Sequence, residues 1–182
     1  MKSATIKRFN RDYTDTSYSK KDPIYDLLNY IYKFNKKNVK IPYDIFAYGF
    51  PTNNECTNTY VNIHPNDYAS LYHLFSYSPK ANYLPSDLSP YWAHLVISFE
   101  PKHFTNTDYF LINTIAYIIG QEYRVAFAFH TNSDHAHGHL AISTININNP
   151  SKPLTYDLLY NKYIPLFIQI ANEYEYDLKL KF

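Results

Sequence analysis

The spacing of apolar residues predicts strands and helices that follow one another along the chain. Residues 91–100, 123–129 and 140–147 fit strands, residues 4–9 and 177–182 alternate more weakly, and residues 38–61 mix loop and strand character. Apolar residues recur at helical spacing in residues 23–34, 65–77, 107–119 and 156–174. We therefore expect an α/β fold of the α+β two-layer sandwich type, with a central, mainly antiparallel sheet of about five strands and helices packed on it.

Two helices have ends that the sequence marks clearly. Asn106 or Thr107 is the expected N-cap of the helix that follows strand 91–100, and Gly120 is its expected C-terminal cap. This helix is apolar on most sides, so it should lie buried under the sheet. The last helix is expected to be interrupted before Pro165, because proline lacks the amide hydrogen that an interior helical position donates.

Four of the eight histidines lie close together between two predicted strands. Because successive side chains of a strand point to opposite faces, His137 and His139 project from the same face, with Gly138 between them. His130 ends the preceding strand and meets them across a hairpin if residues 132–135 form the loop. Three imidazoles then converge, an arrangement that suits a divalent cation and leaves coordination positions open for substrate oxygens.

Other residues near this hairpin are weaker candidates to assist the site. His135 lies in the predicted loop, and Asp134 fits either a turn former or a carboxylate that orients an imidazole. His94, on the predicted strand 91–100, is a further candidate. A single histidine here would most simply be a polar loop residue. This interpretation does not account for four histidines so closely spaced.

Composition limits the class of protein. The 182 residues, 46% of them apolar, suffice for a single domain over residues 1–182 with a buried core. Neither G-x-x-x-x-G-K-[ST] nor G-x-G-x-x-G occurs, which argues against folds that bind nucleotides through glycine-rich loops. The single Cys56 excludes an internal disulfide framework. With no signal peptide and no bilayer-length apolar run, we expect a cytoplasmic protein without a membrane partner.

The predicted helix at residues 23–34 carries a candidate nucleophile. Asp22 followed by Pro23 is a typical helix start, and Tyr30 then falls at the rim of the apolar face. Its ring can pack there while its hydroxyl reaches solvent or a cleft. This position permits a nucleophile without requiring one. The chain has 21 tyrosines, and a tyrosine at the rim of a helix face usually only packs there. Tyr25 and Tyr32 compete with it at other angles of the same helix.

The sequence around the histidines resembles a known motif. The pattern His130-x-Asn-x-x-x-x-His137-x-His139, followed by an apolar strand, is similar to the third motif of plasmid relaxases, the HUH endonucleases that nick DNA for conjugative transfer. The strand, helix and strand of residues 93–130 are similar to the same region of the MobP-type relaxases. The segment Asp26-Leu-Leu-Asn-Tyr30-Ile looks like the first motif of the family, which holds the nucleophilic tyrosine.

The resemblance implies a fold, a reaction and a set of partners. A relaxase-like nuclease domain would nick one DNA strand at a plasmid transfer origin, with a divalent metal ion, Mn²⁺ or Mg²⁺ in this family, held by His130, His137 and His139. Tyr30 would attack the scissile phosphate to give a covalent 5′-phosphotyrosine and a free 3′-hydroxyl. The implied partners are single-stranded or hairpin transfer-origin DNA and accessory relaxosome proteins, and the enzyme would be a monomer.

The chain departs from the usual pattern of the family at two places and in its charge. Asn132 stands where aspartate is common, and Ser143-Thr144 stand where an asparagine commonly closes the strand. The formal net charge is only +1, so a basic cleft for DNA requires unevenly placed cations. Basic residues do concentrate near the predicted nucleophile, and those expected to contact DNA are Lys7, Arg8, Arg11, Lys33, Lys36 and Lys37.

Two other functions fit parts of the same sequence. A histidine-triad nucleotide hydrolase would use His135, His137 and His139, with the middle histidine attacking a nucleoside phosphate without a metal. That interpretation leaves His130 and the first helix unexplained. A DNA-binding accessory protein that kept the relaxase fold and lost nicking is the non-enzymatic alternative, and the altered Asn132 and strand-end residues favour it.

Overall fold

The computed structural model describes residues 1–8, 27, 28, 30, 31, 45–52, 55–63, 92–100, 105–130 and 135–181, with the backbone alone for residues 8, 45–52 and 55–63. The strands are β1 (Lys2–Arg8), β2 (Ile45–Thr52), β3 (Glu55–Ile63), β4 (Trp92–Glu100), β5 (Tyr123–His130), β6 (His137–Asn146) and β7 (Tyr176–Lys181). The helices are α1 (Asn106–Gly120), α2 (Tyr156–Leu158) and α3 (Ile164–Glu173), with a π-helical turn, Leu159–Tyr163, between α2 and α3. The fold is α+β, as expected.

The strands form one mixed sheet in the order β3-β2-β5-β6-β4-β1-β7. Its pairs are antiparallel except for β1 and the edge strand β7, which run parallel. The sheet has more strands than the five or so predicted, since β2 and β3 pair with each other and extend it beyond β5. Gly49, Pro51 and two register shifts between β2 and β3 interrupt the alternation that would have indicated these strands.

Helices α1 and α3 cover one face of the sheet. Ile112 and Ile115 of α1 and Phe167 of α3 are fully buried in a core shared with side chains from five strands. The outer side of α1 is exposed at Phe110 and Tyr117, so this helix is less deeply buried than expected. Its apolar side nevertheless packs against the central strands.

The ends of α1 differ from the sequence prediction by one or two residues. Thr105, rather than Asn106 or Thr107, is the N-cap. Thr105 Oγ1 accepts a hydrogen bond from the Asp108 amide at 3.3 Å, and Asp108 Oδ2 accepts one from the Thr105 amide at 2.5 Å. This reciprocal capping box depends on an acidic residue three positions after the cap, which only Thr105 has. At the other end Gly120 remains helical and Gln121 is the C-cap.

The predicted interruption of the last helix before Pro165 is a π-helical turn. The turn spans Leu159–Tyr163, and helix α3 resumes with Pro165 in its first turn. In a regular α-helix the ring of Pro165 would clash with the carbonyl of the preceding turn, and that carbonyl would lack the hydrogen bond that a backbone amide donates. The wider π-helical turn relieves both problems. Among the residues that the structure covers, no helix has the length and hydrophobicity to cross a bilayer.

The opposite face of the sheet carries the histidines. Four residues of the predicted first helix, Leu27, Leu28, Tyr30 and Ile31, are helical and lie on this side, where Ile31 contacts His130. Leu28 and Ile31 are fully buried, whereas Tyr30 is 36% exposed. The predicted helix at residues 65–77 lies outside the described residues.

Candidate metal centre and its tyrosine

Strand pairing brings three of the predicted histidines to one place on the sheet. His130, the last residue of β5, lies directly opposite His137, the first residue of β6. His139 is two residues further along β6 and therefore points to the same face as His137. The hairpin geometry expected from the sequence thus places all three imidazoles side by side.

The three imidazoles are close enough to share one ion. One ring nitrogen from each of His130, His137 and His139 lies within 4.8 Å of the corresponding atoms of the other two. The ring centroids are separated by 4.4 Å for His130 and His139, 4.9 Å for His137 and His139, and 5.1 Å for His130 and His137. His130 and His139 are buried and His137 is half-buried, so the cluster opens to solvent on the His137 side.

Backbone carbonyls determine which nitrogen of two of these rings carries the hydrogen. His130 Nε2 lies 2.5 Å from the carbonyl oxygen of Ile31, and His137 Nδ1 lies 2.9 Å from that of His135. A carbonyl can only accept a hydrogen bond, so both ring nitrogens must donate. His130 Nδ1 and His137 Nε2 then carry lone pairs and are the atoms available to bind a cation.

The third histidine is held by a fourth imidazole. His139 Nδ1 lies 2.9 Å from His94 Nε2, and the two rings are stacked with centroids 5.1 Å apart. If His139 uses Nε2 as a ligand, its Nδ1 carries the hydrogen and donates it to His94. His94 is 7% exposed and reaches His139 from the adjacent strand β4.

This pattern of hydrogen bonds fits a metal site. Imidazoles that bind metal ions generally donate their second N–H to a carbonyl, carboxylate or water, which fixes both tautomer and ring orientation. His130 and His137 each have a carbonyl acceptor within 2.9 Å, and His139 has the ring nitrogen of His94 in the corresponding place. The donor set of three neutral imidazoles is typical of Zn²⁺, Cu²⁺, Ni²⁺ or Mn²⁺ sites with open coordination positions. The residues can therefore hold a divalent metal ion.

Gly138 keeps the two histidines of β6 at their positions. On the face opposite the imidazoles, a Cβ atom at Gly138 would lie 2.8 Å from Ile112 Cδ1 and 3.0 Å from Ile112 Cγ1. Ile112 is fully buried in helix α1 and cannot move aside freely. The absence of a side chain at Gly138 thus lets β6 approach α1 closely between His137 and His139.

Tyr30 lies against the histidine cluster. Its ring meets that of His139 edge-on with centroids 5.6 Å apart, and that of His94 with centroids 6.0 Å apart. It lines a pocket of about 410 Å³ together with His135, His137 and His139. The backbone carbonyl that accepts the hydrogen bond from His130 belongs to the next residue, Ile31. The structure therefore brings the predicted nucleophile and two of the predicted ligands, His137 and His139, into one pocket, with His130 buried beside them.

The other predicted site residues are placed less centrally. His135 is exposed in a bend before β6 and contributes its carbonyl oxygen, while Lys7 is exposed on the pocket wall. Arg8 is described only as backbone of β1. Several predicted residues lie outside the described part of the chain: Arg11, Tyr25, Tyr32, Lys33, Lys36, Lys37, Asn132 and Asp134.

Two features of the site had no signal in the sequence. The carbonyl of Ile31 is a backbone group, so no side-chain pattern could indicate its bond to His130. Lys181, near the end of the chain, joins the pocket wall because β7 pairs with β1. Only the register of these two distant strands reveals this placement.

Comparison of the chain with models of protein families, with curated proteins and with solved structures finds no match. The chemistry of the pocket must therefore be inferred from its own residues.

Proposed function

We propose that this protein is a metal-dependent, relaxase-like nuclease that nicks single-stranded DNA, with Tyr30 as its nucleophile. The observation that carries the proposal is the edge-on contact of Tyr30 with His139 at 5.6 Å, inside the pocket formed by the histidine cluster. A phenol next to a three-imidazole site is a combination suited to phosphodiester transfer to tyrosine. The motif resemblance described above points to the same reaction.

The cluster would counter the negative charge of the substrate. A phosphodiester repels an approaching anionic oxygen, and a phenol is a weak nucleophile at neutral pH. A divalent cation bound by His130, His137 and His139 would polarise the phosphate and stabilise the charge that develops on its oxygens. By the family resemblance we propose Mn²⁺ or Mg²⁺ as this cation.

Tyr30 would form the covalent bond in the reaction. Its phenol oxygen attacks phosphorus and loses its proton, the bond from phosphorus to the 3′ oxygen breaks, and the departing 3′ oxygen takes up a proton. The products are a 5′-phosphotyrosine and a free 3′-hydroxyl, so the energy of the broken bond is retained for rejoining. The hydrogen bond from His130 to Ile31 fixes the nucleophile's helix relative to the imidazoles, which favours a reactive geometry.

The arrangement favours this reaction over a histidine-triad hydrolase. That alternative uses His135, His137 and His139, but His135 is exposed and precedes strand β6. His130 takes its place in the cluster and is buried there. A hydrolase of that type would leave both His130 and the adjacent Tyr30 without a role.

A covalent-capture experiment tests the proposal. The protein is incubated with a pool of randomised single-stranded DNA and Mn²⁺ or Mg²⁺, then separated on a denaturing gel that retains only covalent complexes. We expect a shifted, labelled protein band that chelator abolishes. Tyr30→Phe and His130→Ala should lose the band.

Tyr117→Phe serves as the control, because Tyr117 is an exposed tyrosine on the outer side of α1, away from the cluster. It should retain the band. Absence of any band with the unmodified protein, or an undiminished band with Tyr30→Phe, would contradict the proposal. DNA binding without a covalent product would favour an accessory protein that does not nick.

A further inference from the structure

A pair of lysines forms the outer wall of the same pocket. We propose that Lys7 and Lys181 bind a backbone phosphate of the single-stranded DNA next to the scissile one. This inference rests on the proposed function, since it assigns a second subsite to the same substrate. Lys181 was not among the residues that sequence reasoning selected.

The two lysines are neighbours on the sheet although they lie at opposite ends of the chain. Lys7 of β1 and Lys181 of β7 are directly opposite each other in the parallel pair. Hydrogen-bonded strands are spaced about 4.8 Å apart, so the two side chains start from adjacent positions on one face. Both are exposed and both line the pocket that contains Tyr30 and His137.

The register also sets the distance from the lysines to the metal cluster. Lys7 lies opposite Val96, and Val96 lies opposite His139. Lys7 is therefore two strand spacings from His139, roughly 10 Å between Cα atoms, and Lys181 is three, roughly 14 Å. These separations place the lysines beside the histidine cluster and not within it, which suits a neighbouring phosphate on the same strand.

The charges on the pocket wall favour an anion at this point. Among the described residues of the pocket wall, Lys7 and Lys181 contribute two positive charges, against one negative charge from Glu100. Ser98 lies on β4 between His137 and β1, and Thr5 lies opposite it on β1, two residues from Lys7. Both offer hydroxyl groups on the pocket wall that can donate to phosphate oxygens. An extended strand of DNA would pass from the imidazoles over these hydroxyls to the ammonium groups. Glu100 should weaken this binding by repulsion.

Other lysines on the same two strands differ in their surroundings. Lys179 pairs with Asp177 at 3.0 Å, and Lys2 lies over the ring of Tyr176 with its ammonium 5.5 Å from the ring centroid. Neither is part of the pocket wall. They carry the same charge on the same strands, so they are matched controls for Lys7 and Lys181.

The test is salt-dependent binding of a short, fluorescent oligothymidylate, measured by anisotropy with chelator present. The Tyr30→Phe protein is used as the parent so that no covalent product forms. For single strands, log K falls with log salt by about 0.7 per phosphate contact. Because both lysines contact the same phosphate, Lys7→Ala/Lys181→Ala should reduce the slope by about 0.7, so that a fourfold rise in salt weakens binding about 2.6-fold less than in the parent.

Further variants sharpen the outcome. Lys2→Ala/Lys179→Ala should leave the slope near that of the parent, and Glu100→Gln should tighten binding at low salt. Equal slopes for the two double variants would overturn the subsite. If that result accompanies a covalent product at Tyr30, the subsite fails and the nuclease stands. If Lys7→Ala/Lys181→Ala lowers the slope but no covalent product forms, the subsite stands and the nicking proposal fails.

Discussion

The hydrogen bond between His94 and His139 allows a quantitative test of the metal centre. His94→Phe keeps a flat ring of similar size against His139 and Tyr30 but removes the Nε2 acceptor that lies 2.9 Å from His139 Nδ1. Loss of such an outer hydrogen bond typically lowers metal affinity about 10- to 100-fold. His94 is only 7% exposed, so water is poorly placed to substitute. We expect a loss in the upper part of that range.

The assay is titration of the metal-free protein with Mn²⁺ and Zn²⁺ by calorimetry, without DNA. His94→Gln is the matched control, because its side-chain oxygen can occupy a position near that of Nε2 and accept the hydrogen bond. We expect His94→Gln to lose far less affinity than His94→Phe, with one ion per chain in each case. Unchanged affinity in His94→Phe, or equal losses in the two variants, would refute the assigned role of His94.

Two further predictions concern the support of the site and the pH dependence of stability. Gly138→Ala should destabilise the fold by about 1–3 kcal/mol through overpacking against Ile112. Adding Ile112→Val, which removes the closest atom, should recover part of this loss. If the changes in unfolding free energy of the two single variants simply add in the double variant, the contact is contradicted. Burial of Glu122 raises the pKa of its carboxyl, but hydrogen bonds from Lys162 and Tyr163 lower it more, so the folded-state pKa lies below the ordinary 4.5. The carboxylate therefore stabilises the fold above its ordinary pKa and loses this effect as pH falls towards the folded-state value. Between about pH 6 and pH 3 the melting temperature should fall more in the unmodified protein than in Glu122→Gln. Parallel curves of melting temperature against pH for the two proteins would contradict this role of Glu122.

The histidine cluster was predictable because its geometry is local. Two histidines separated by one residue share a face of any strand, and His130 needs only a short hairpin to join them. The helical character of Leu27, Leu28, Tyr30 and Ile31 was predictable for a similar reason, since the apolar spacing of this segment is a local pattern. The contact between Tyr30 and His139 was an expectation from a motif resemblance, and no periodicity could have indicated it.

The features that escaped prediction depend on long-range register or on backbone atoms. His94 was a predicted candidate, but its contact with His139 depends on the register in which β4 pairs with β6, and Lys181 reaches Lys7 only because β7 pairs with β1. The bond from His130 to the Ile31 carbonyl involves no second side chain. Thr105 is the N-cap, and not one of its neighbours, because it forms a reciprocal pair of hydrogen bonds with Asp108. The N-cap preferences of single residue types do not indicate such a pair.

Mapping the covalent DNA adduct by mass spectrometry tests the central claim most directly. Protein captured with single-stranded DNA and Mn²⁺ is digested with nuclease and protease, and the peptide that carries the nucleotide is sequenced. We predict a nucleotide on Tyr30, formed only when metal and all three cluster histidines are present. A nucleotide on His137 that forms equally well with chelator would contradict the account and indicate the metal-free histidine reaction instead.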